Sequence, residues 1–198
     1  MSSKKEKIPE TRLSILEATR QILDSPKPRV PSMSEVAKAA GISRQAVYLH
    51  FASRAELLIA AIRYIDERQG LPARLARIYE SQNSTQMLDR CVEVWGGYLP
   101  EIRGIAHVLL QLRDSDSEVL EAWNETVRCL KDVCRDCIKA LKTEGRLAEA
   151  WTLPLATDML TGMLSIPCWD ELRRLGWNNQ QYIKNMKLAT QKTFCKDF

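Results

Sequence analysis

Glycine and proline are scarce in this sequence, eight of each among 198 residues, which is too few for a loop-rich all-β protein. No run of about 18 apolar residues occurs, so no membrane-spanning helix is expected. The basic start, Met1 to Pro9, has no apolar stretch behind it and does not read as a signal peptide. The expected location is the cytoplasm. Histidine is limited to His50 and His107, and a second C-x-x-C pair is missing. A structural zinc site needs four converging ligands, so none is expected, even though Cys134 and Cys137 have the C-x-x-C spacing with Cys129 nearby. With Cys91, Cys168 and Cys195 they read as free thiols in a reducing compartment. There is no Gly-rich phosphate loop, no H-E-x-x-H and no G-x-S-x-G, so neither an enzyme nor a cofactor is expected.

What is present favours helix. The chain is 45% hydrophobic and 27% charged, and long stretches of Ala, Leu, Glu, Lys, Arg and Gln form helices readily. No segment has the period-two alternation of a strand, so the expected fold is all-α. The charge is uneven. Up to Arg68 there are 12 Lys and Arg against 8 Asp and Glu; beyond it the two are equal at 17. The whole excess of +4 lies in the first third, which hints at a polyanion partner for that part alone.

Apolar spacing of three and four predicts the helices. Ile15, Leu16, Thr19, Ile22 and Leu23 stripe a first one from Pro9 or Glu10 to before the proline-rich segment 25–31. Short helices are expected over 33–40 and 44–49, and a fourth from Ser53 to about Gln69. Gly70-Leu-Pro72 marks a domain boundary, giving 1–70 and 71–198. Further on, Leu88 to Leu99 make one apolar face that should break at Pro100, and Ile102 to Leu110 the next. Leu120, Trp123, Val127, Leu130, Cys134, Cys137 and Leu141 read as the seam of a long helix ended by Gly145. Ala156 to Leu164 stripe another, interrupted at Pro167, and a last helix runs from about Asn179 to Phe194.

Ser32 to Phe51 has the chemistry of a helix-turn-helix. Ser32 and Glu35 form a capping-box pattern, Gly41 can reverse the chain in the left-handed region, and Ser43 can cap the next helix. Small or apolar Val36, Ala37, Ala40, Ile42 and Val47 suit a close helix crossing. Arg44, Gln45, Ala46, Tyr48 and Leu49 then face outward: Arg and Gln suit purine edges, Ala a thymine methyl and Tyr a phosphate. Ser32, Tyr48, His50 and Arg54 can grip the DNA backbone, helped by the positive ends of helices. Ser53 and Glu56 form a second capping-box pattern. Two short capped helices around a glycine occur in many helical proteins; spacing, polar outer face and confined charge together point to DNA.

The stretch Met33 to Leu58 resembles the DNA-binding domain of TetR-type (tetracycline-repressor-like) regulators. The shared elements are Val36-Ala37, Ala40-Gly41-Ile42-Ser43, Tyr48, His50-Phe51, Ser53 and Glu56-Leu57-Leu58. The resemblance implies an N-terminal three-helix helix-turn-helix domain plus a C-terminal helical bundle for dimerisation and effector binding. It also implies a homodimer on a roughly palindromic operator, acting as a repressor. On the residue chemistry above, Ser32, Ser43, Arg44, Gln45, Ala46, Tyr48, Leu49, His50 and Arg54 are the candidate DNA contacts. The family's loop glycine before the second helix is replaced by the proline-rich 25–31 segment. Leu49 stands where a polar or aromatic residue is common, so base preference does not carry over.

Beyond residue 70 the resemblance is to general shape and to the phrase Trp169 to Trp177, between the last two helices, which in the family pair with their copies to form the dimer. Trp95, Tyr98, His107, Trp123 and Met163 are the candidate contacts for an unknown small-molecule effector, with plain core packing as each one's alternative. A population shift between two spacings of the paired DNA heads would couple effector to operator. A helical interaction bundle without an operator is the rival that keeps the fold and discards the DNA.

Overall fold

Prolines and polar caps cut the chain into helices. The structure, a computed structural model, describes residues 9–25 and 28–196; the expectations for the basic start and for Pro26 and Lys27 of the proline-rich segment lie outside these. Among the described residues there are ten helices: α1 Glu10–Leu23, α2 Met33–Ala40, α3 Arg44–His50, α4 Arg54–Arg68, α5 Leu71–Tyr79, α6 Ser84–Leu112, α7 Ser117–Thr143, α8 Leu153–Met163, α9 Ile166–Arg174 and α10 Asn179–Phe194. The only bridge pairing described is the isolated one between Leu147 and Cys195. No described helix is long and apolar enough to cross a membrane.

The chain forms two compact units, one of Met1–Arg68 with Gly104–Trp123 and one of Gln69–Arg103 with Asn124–Phe198. In the first, α1 packs on α2 and α4, and α2 on α3. Ile15, Leu16, Val36, Ala37, Val47, Phe51, Leu57 and Ala61 make its core. Each fully buried Leu or Ile there contributes about 1.5–3 kcal/mol relative to exposure. Glu17 of α1 accepts from Arg20 at 2.8 Å and from the Tyr64 hydroxyl of α4 at 3.0 Å. The Arg20 hydrogen bond, followed by that from Tyr64, holds its carboxyl down at about 2 against burial. The last part of α6 meets α1 through Gly104, where an added Cβ would lie 2.1 Å from the Leu23 carbonyl oxygen.

In the second unit the core is Cys91, Val92, Trp95, Tyr98 and Leu99 of α6, Cys134, Cys137, Ile138 and Leu141 of α7, and Leu160, Trp169, Tyr182, Met186 and Phe194 of the last three helices. Polar ties fix these helices. Glu144 accepts from the Ser84 amide and hydroxyl, and Asn179 donates to the Gly96 carbonyl while accepting from the Trp169 indole.

Four expectations need correction. Pro100 does not break the helix: α6 runs through it, losing one backbone donor while apolar residues on both sides stay buried. Pro167 does not interrupt a helix but opens one, in the first turn of α9, where its missing N–H costs nothing. The start of the α7 seam is Val119 and Ala122, both buried, whereas Leu120 is 40% exposed. Finally, α5 was absent from the expected elements; Pro72 sits in its first turn.

Candidate nucleic-acid interface

The local signals around α2 and α3 act as the residue types demand. The Ser32 hydroxyl accepts from the Glu35 amide at 3.2 Å, and the Glu35 carboxylate accepts from the Ser32 amide at 3.0 Å. Arg29 pairs with the same carboxylate. That ion pair first, and then the Ser32 bonds, hold Glu35 down at about 2. Gly41 ends α2 at φ 69°, ψ 27°, and its neighbour Ile42 donates to the Ala37 carbonyl at 3.0 Å. A residue with a Cβ pays about 1–2 kcal/mol in that region. Ser43 caps α3 by accepting from the Ala46 amide at 3.1 Å. At α4, Ser53 accepts from the Glu56 amide at 3.0 Å. The return bond of Glu56 goes to the Ala52 amide at 2.7 Å, one residue earlier than the expected box.

Because Val47 is buried on one side of α3, the other side is presented outward. Arg44, Gln45, Tyr48 and Leu49 are exposed and Ala46 is half-buried. The Arg44 guanidinium lies 5.5 Å from the centre of the Tyr48 ring and donates to its hydroxyl at 3.4 Å. His50 is half-buried, and its carbonyl accepts from Arg12 of α1, whose guanidinium also stacks 4.1 Å from the centre of the Phe51 ring. Arg12 thus ties α1 to the end of α3, a contact that α1's own apolar spacing does not reveal.

Ser32, Arg44, Tyr48 and Arg54 come together along one open cleft of about 530 Å³, with Met33, Ser34, Ser53 and Ala55. The first turns of α2, α4 and α7 all contribute to its lining, and a helix N-terminus carries a partial positive charge. Ser43, Gln45, Ala46, Leu49 and His50 do not line this cleft; of these, Gln45, Ala46 and Leu49 continue the outer face of α3. Sequence reasoning missed the remaining lining residues, Asp116, Ser117 and Glu118 at the start of α7.

The candidate effector residues fall in both units. Trp95 and Tyr98 are buried in the second, their rings 5.9 Å apart in an edge-on contact at 72°. Met163, in the same unit, is half-buried and its carbonyl accepts from the Tyr182 hydroxyl at 3.2 Å. His107 and Trp123 belong to the first unit, with Arg113 5.8 Å from the Trp123 ring centre. The buried thiol of Cys91 is pushed up by hydrogen bonds with Cys134 and Cys137 and by burial. Among the described residues no group of three His, Cys, Asp or Glu is placed to hold a metal ion.

Residues 15–61 match the family model described as bacterial regulatory proteins, tetR family. No curated protein matches the sequence. Among solved structures, a protein from Saccharomonospora viridis in complex with choline is similar at TM-score 0.80 and 14% identity, over 94% of this chain and 98% of that one. NalD, the secondary repressor of the MexAB-OprM multidrug efflux pump in Pseudomonas aeruginosa, is similar at TM-score 0.70 and 23% identity, over 95% and 98%. The transcriptional regulator FadR from Bacillus subtilis in complex with stearoyl-CoA is similar at TM-score 0.73 and 18% identity, over 91% and 98%. At these identities the likeness is one of fold, and function has to be argued from the site.

Proposed function

We propose that this TetR-type regulator is a cytoplasmic transcriptional repressor that binds a roughly palindromic operator as a homodimer and is released by a small-molecule effector. The observation that carries the reading is the cleft that Ser32, Arg44, Tyr48 and Arg54 line together with the starts of α2, α4 and α7, beside the outward face of α3. Its lining from Ser32 to Ala55 lies within the segment 15–61 that matches the family, and Asp116, Ser117 and Glu118 lie outside it. Residues 1–70 are the proposed DNA-binding domain and 71–198 the effector and dimerisation domain. Gln45, Ala46 and Leu49 would read base edges, and Ser32, Ser43, Arg44, Tyr48, His50 and Arg54 would serve the backbone or the nearest bases.

Three observations support the rest. NalD is a repressor, and two proteins of the same fold are held with choline and with stearoyl-CoA. The Trp95 indole N–H is buried without an acceptor, so an effector carrying one would be favoured beside Trp95, Tyr98 and Met163. Leu155, Met159 and Leu188 leave an apolar surface on α8 and α10, the two helices expected to pair, although the stretch expected between them forms a further helix, α9.

A selection of genomic fragments, followed by binding at increasing salt, tests the DNA reading. Affinity should fall linearly on a log–log plot with a slope reflecting several phosphates. Arg44→Ala and Gln45→Ala should relax base preference, and Arg54→Ala should weaken all sequences about equally. No salt-dependent affinity for any fragment would sink the proposal.

A further inference from the structure

The geometry points to the start of α7 as an acidic rim of the DNA interface, with Asp116 and Glu118 weakening the hold on the phosphate backbone. The inference rests on the DNA-binding reading above. Asp116 and Glu118 line the same cleft as Arg44, Tyr48 and Arg54, and all of these belong to one compact unit. A cavity of that volume is about 10 Å across, close to the screening length at 0.1 M salt, so the charges that line it act on whatever enters it. Two cations, Arg44 and Arg54, share that lining with two carboxylates. A phosphate drawn in by Arg44, Arg54 and the helix N-termini meets repulsion from Asp116 and Glu118.

Asp116 also has a structural task, since its Oδ1 accepts from the Glu118 and Val119 amides at 3.1 and 3.3 Å and so caps α7. A neutral asparagine would serve the cap equally well. Glu118 is exposed in the first turn of α7, where a glutamine keeps its shape. Capping and helix-dipole chemistry therefore explain an acidic or amide side chain at each position, and the placement in one cleft with two arginines is what they leave over. Non-specific affinity is supplied almost wholly by phosphate electrostatics. A rim that taxes every phosphate lowers that background for all sequences alike, and the complementary contacts of α3 are left to distinguish the operator.

The test compares full-length Asp116→Asn and Glu118→Gln with the unaltered chain on a mixed-sequence duplex and on a fragment from the genomic selection. Glu121→Gln, the same charge change on an exposed residue of α7 outside the cleft lining, controls for net charge. Each rim variant should bind both DNAs about threefold to tenfold tighter at about 50 mM salt, with the gain shrinking by about 200 mM. The inference is overturned if affinity is unchanged, if Glu121→Gln gives the same gain, or if the gain is confined to one sequence. If the unaltered chain shows no salt-dependent binding to either DNA, the DNA reading itself falls and takes the rim with it.

Discussion

Leu49 is 81% exposed on a helix whose opposite side, at Val47, is fully buried. A single exposed leucine is ordinary on a protein surface. Here it stands three and four residues from Ala46 and Gln45, and so shares their outward face. With no hydrogen-bonding group in its side chain, the one base feature it suits in the proposed interface is the methyl of thymine. Replacing thymine by uracil in the selected operator should therefore cost about fourfold in affinity per methyl contacted, the worth of one buried methyl group. The cost should vanish in Leu49→Ala, as measured by competition binding. An equal loss in both proteins would place the methyl contact elsewhere. Which of these residues were legible in the sequence follows from distance along the chain. Ser32 with Glu35, Ser43 with Ala46 and the left-handed Gly41 are bonds within three or four residues, so residue type announces them. Asp116 and Glu118 come to line one cleft with Arg44 and Arg54 only through tertiary packing, and nothing in their local pattern says so.

At the scale of elements, proline is where reading and structure part. Pro72, Pro154 and Pro167 each occupy the first turn of a helix, where no backbone donor is required, so they announce starts rather than stops. Pro100 lies inside a helix of 29 residues, long and buried enough to absorb one lost bond. The helix-turn-helix and α10 were legible to their first residues because caps and apolar stripes agree there. Glycine gives a sharper test of packing. At Gly104 a new methyl would meet backbone, 2.1 Å from the Leu23 oxygen and 2.7 Å from its carbon; at Gly96 it would meet the Ile183 side chain at 2.6 Å. Backbone at a helix end cannot turn aside, whereas a side chain can change rotamer. Gly104→Ala should lose about 1–3 kcal/mol despite alanine's higher helix propensity. Gly96→Ala should come out milder, because Ile183 is able to yield. Denaturant unfolding of both variants decides it. A Gly104→Ala chain as stable as the unaltered one would mean that α6 does not approach α1 this closely.

At the scale of the whole molecule, a recognition helix of seven residues offers few base contacts, and a twofold dimer on a palindromic site doubles them. The exposed surface of the second unit suits that arrangement. Leu155 and Met159, four apart on α8, are 59% and 48% exposed, and Leu188 of α10 is 44% exposed. The two helices pack on each other, and a self-complementary pairing of such a surface would form a four-helix interface. The unaltered chain should sediment at twice its 22.6 kDa at micromolar concentration. Met159→Glu combined with Leu188→Glu places a carboxylate from each helix in the proposed seam. Because both side chains are already partly exposed, the fold of the single chain should survive, with unchanged helical circular dichroism. The double variant should sediment as a monomer and lose most of its operator affinity, while keeping the weak, salt-dependent binding of one head to mixed-sequence DNA. A double variant that stays dimeric would move the interface off α8 and α10. One that is monomeric yet holds the operator as tightly as before would remove the need for a dimer altogether.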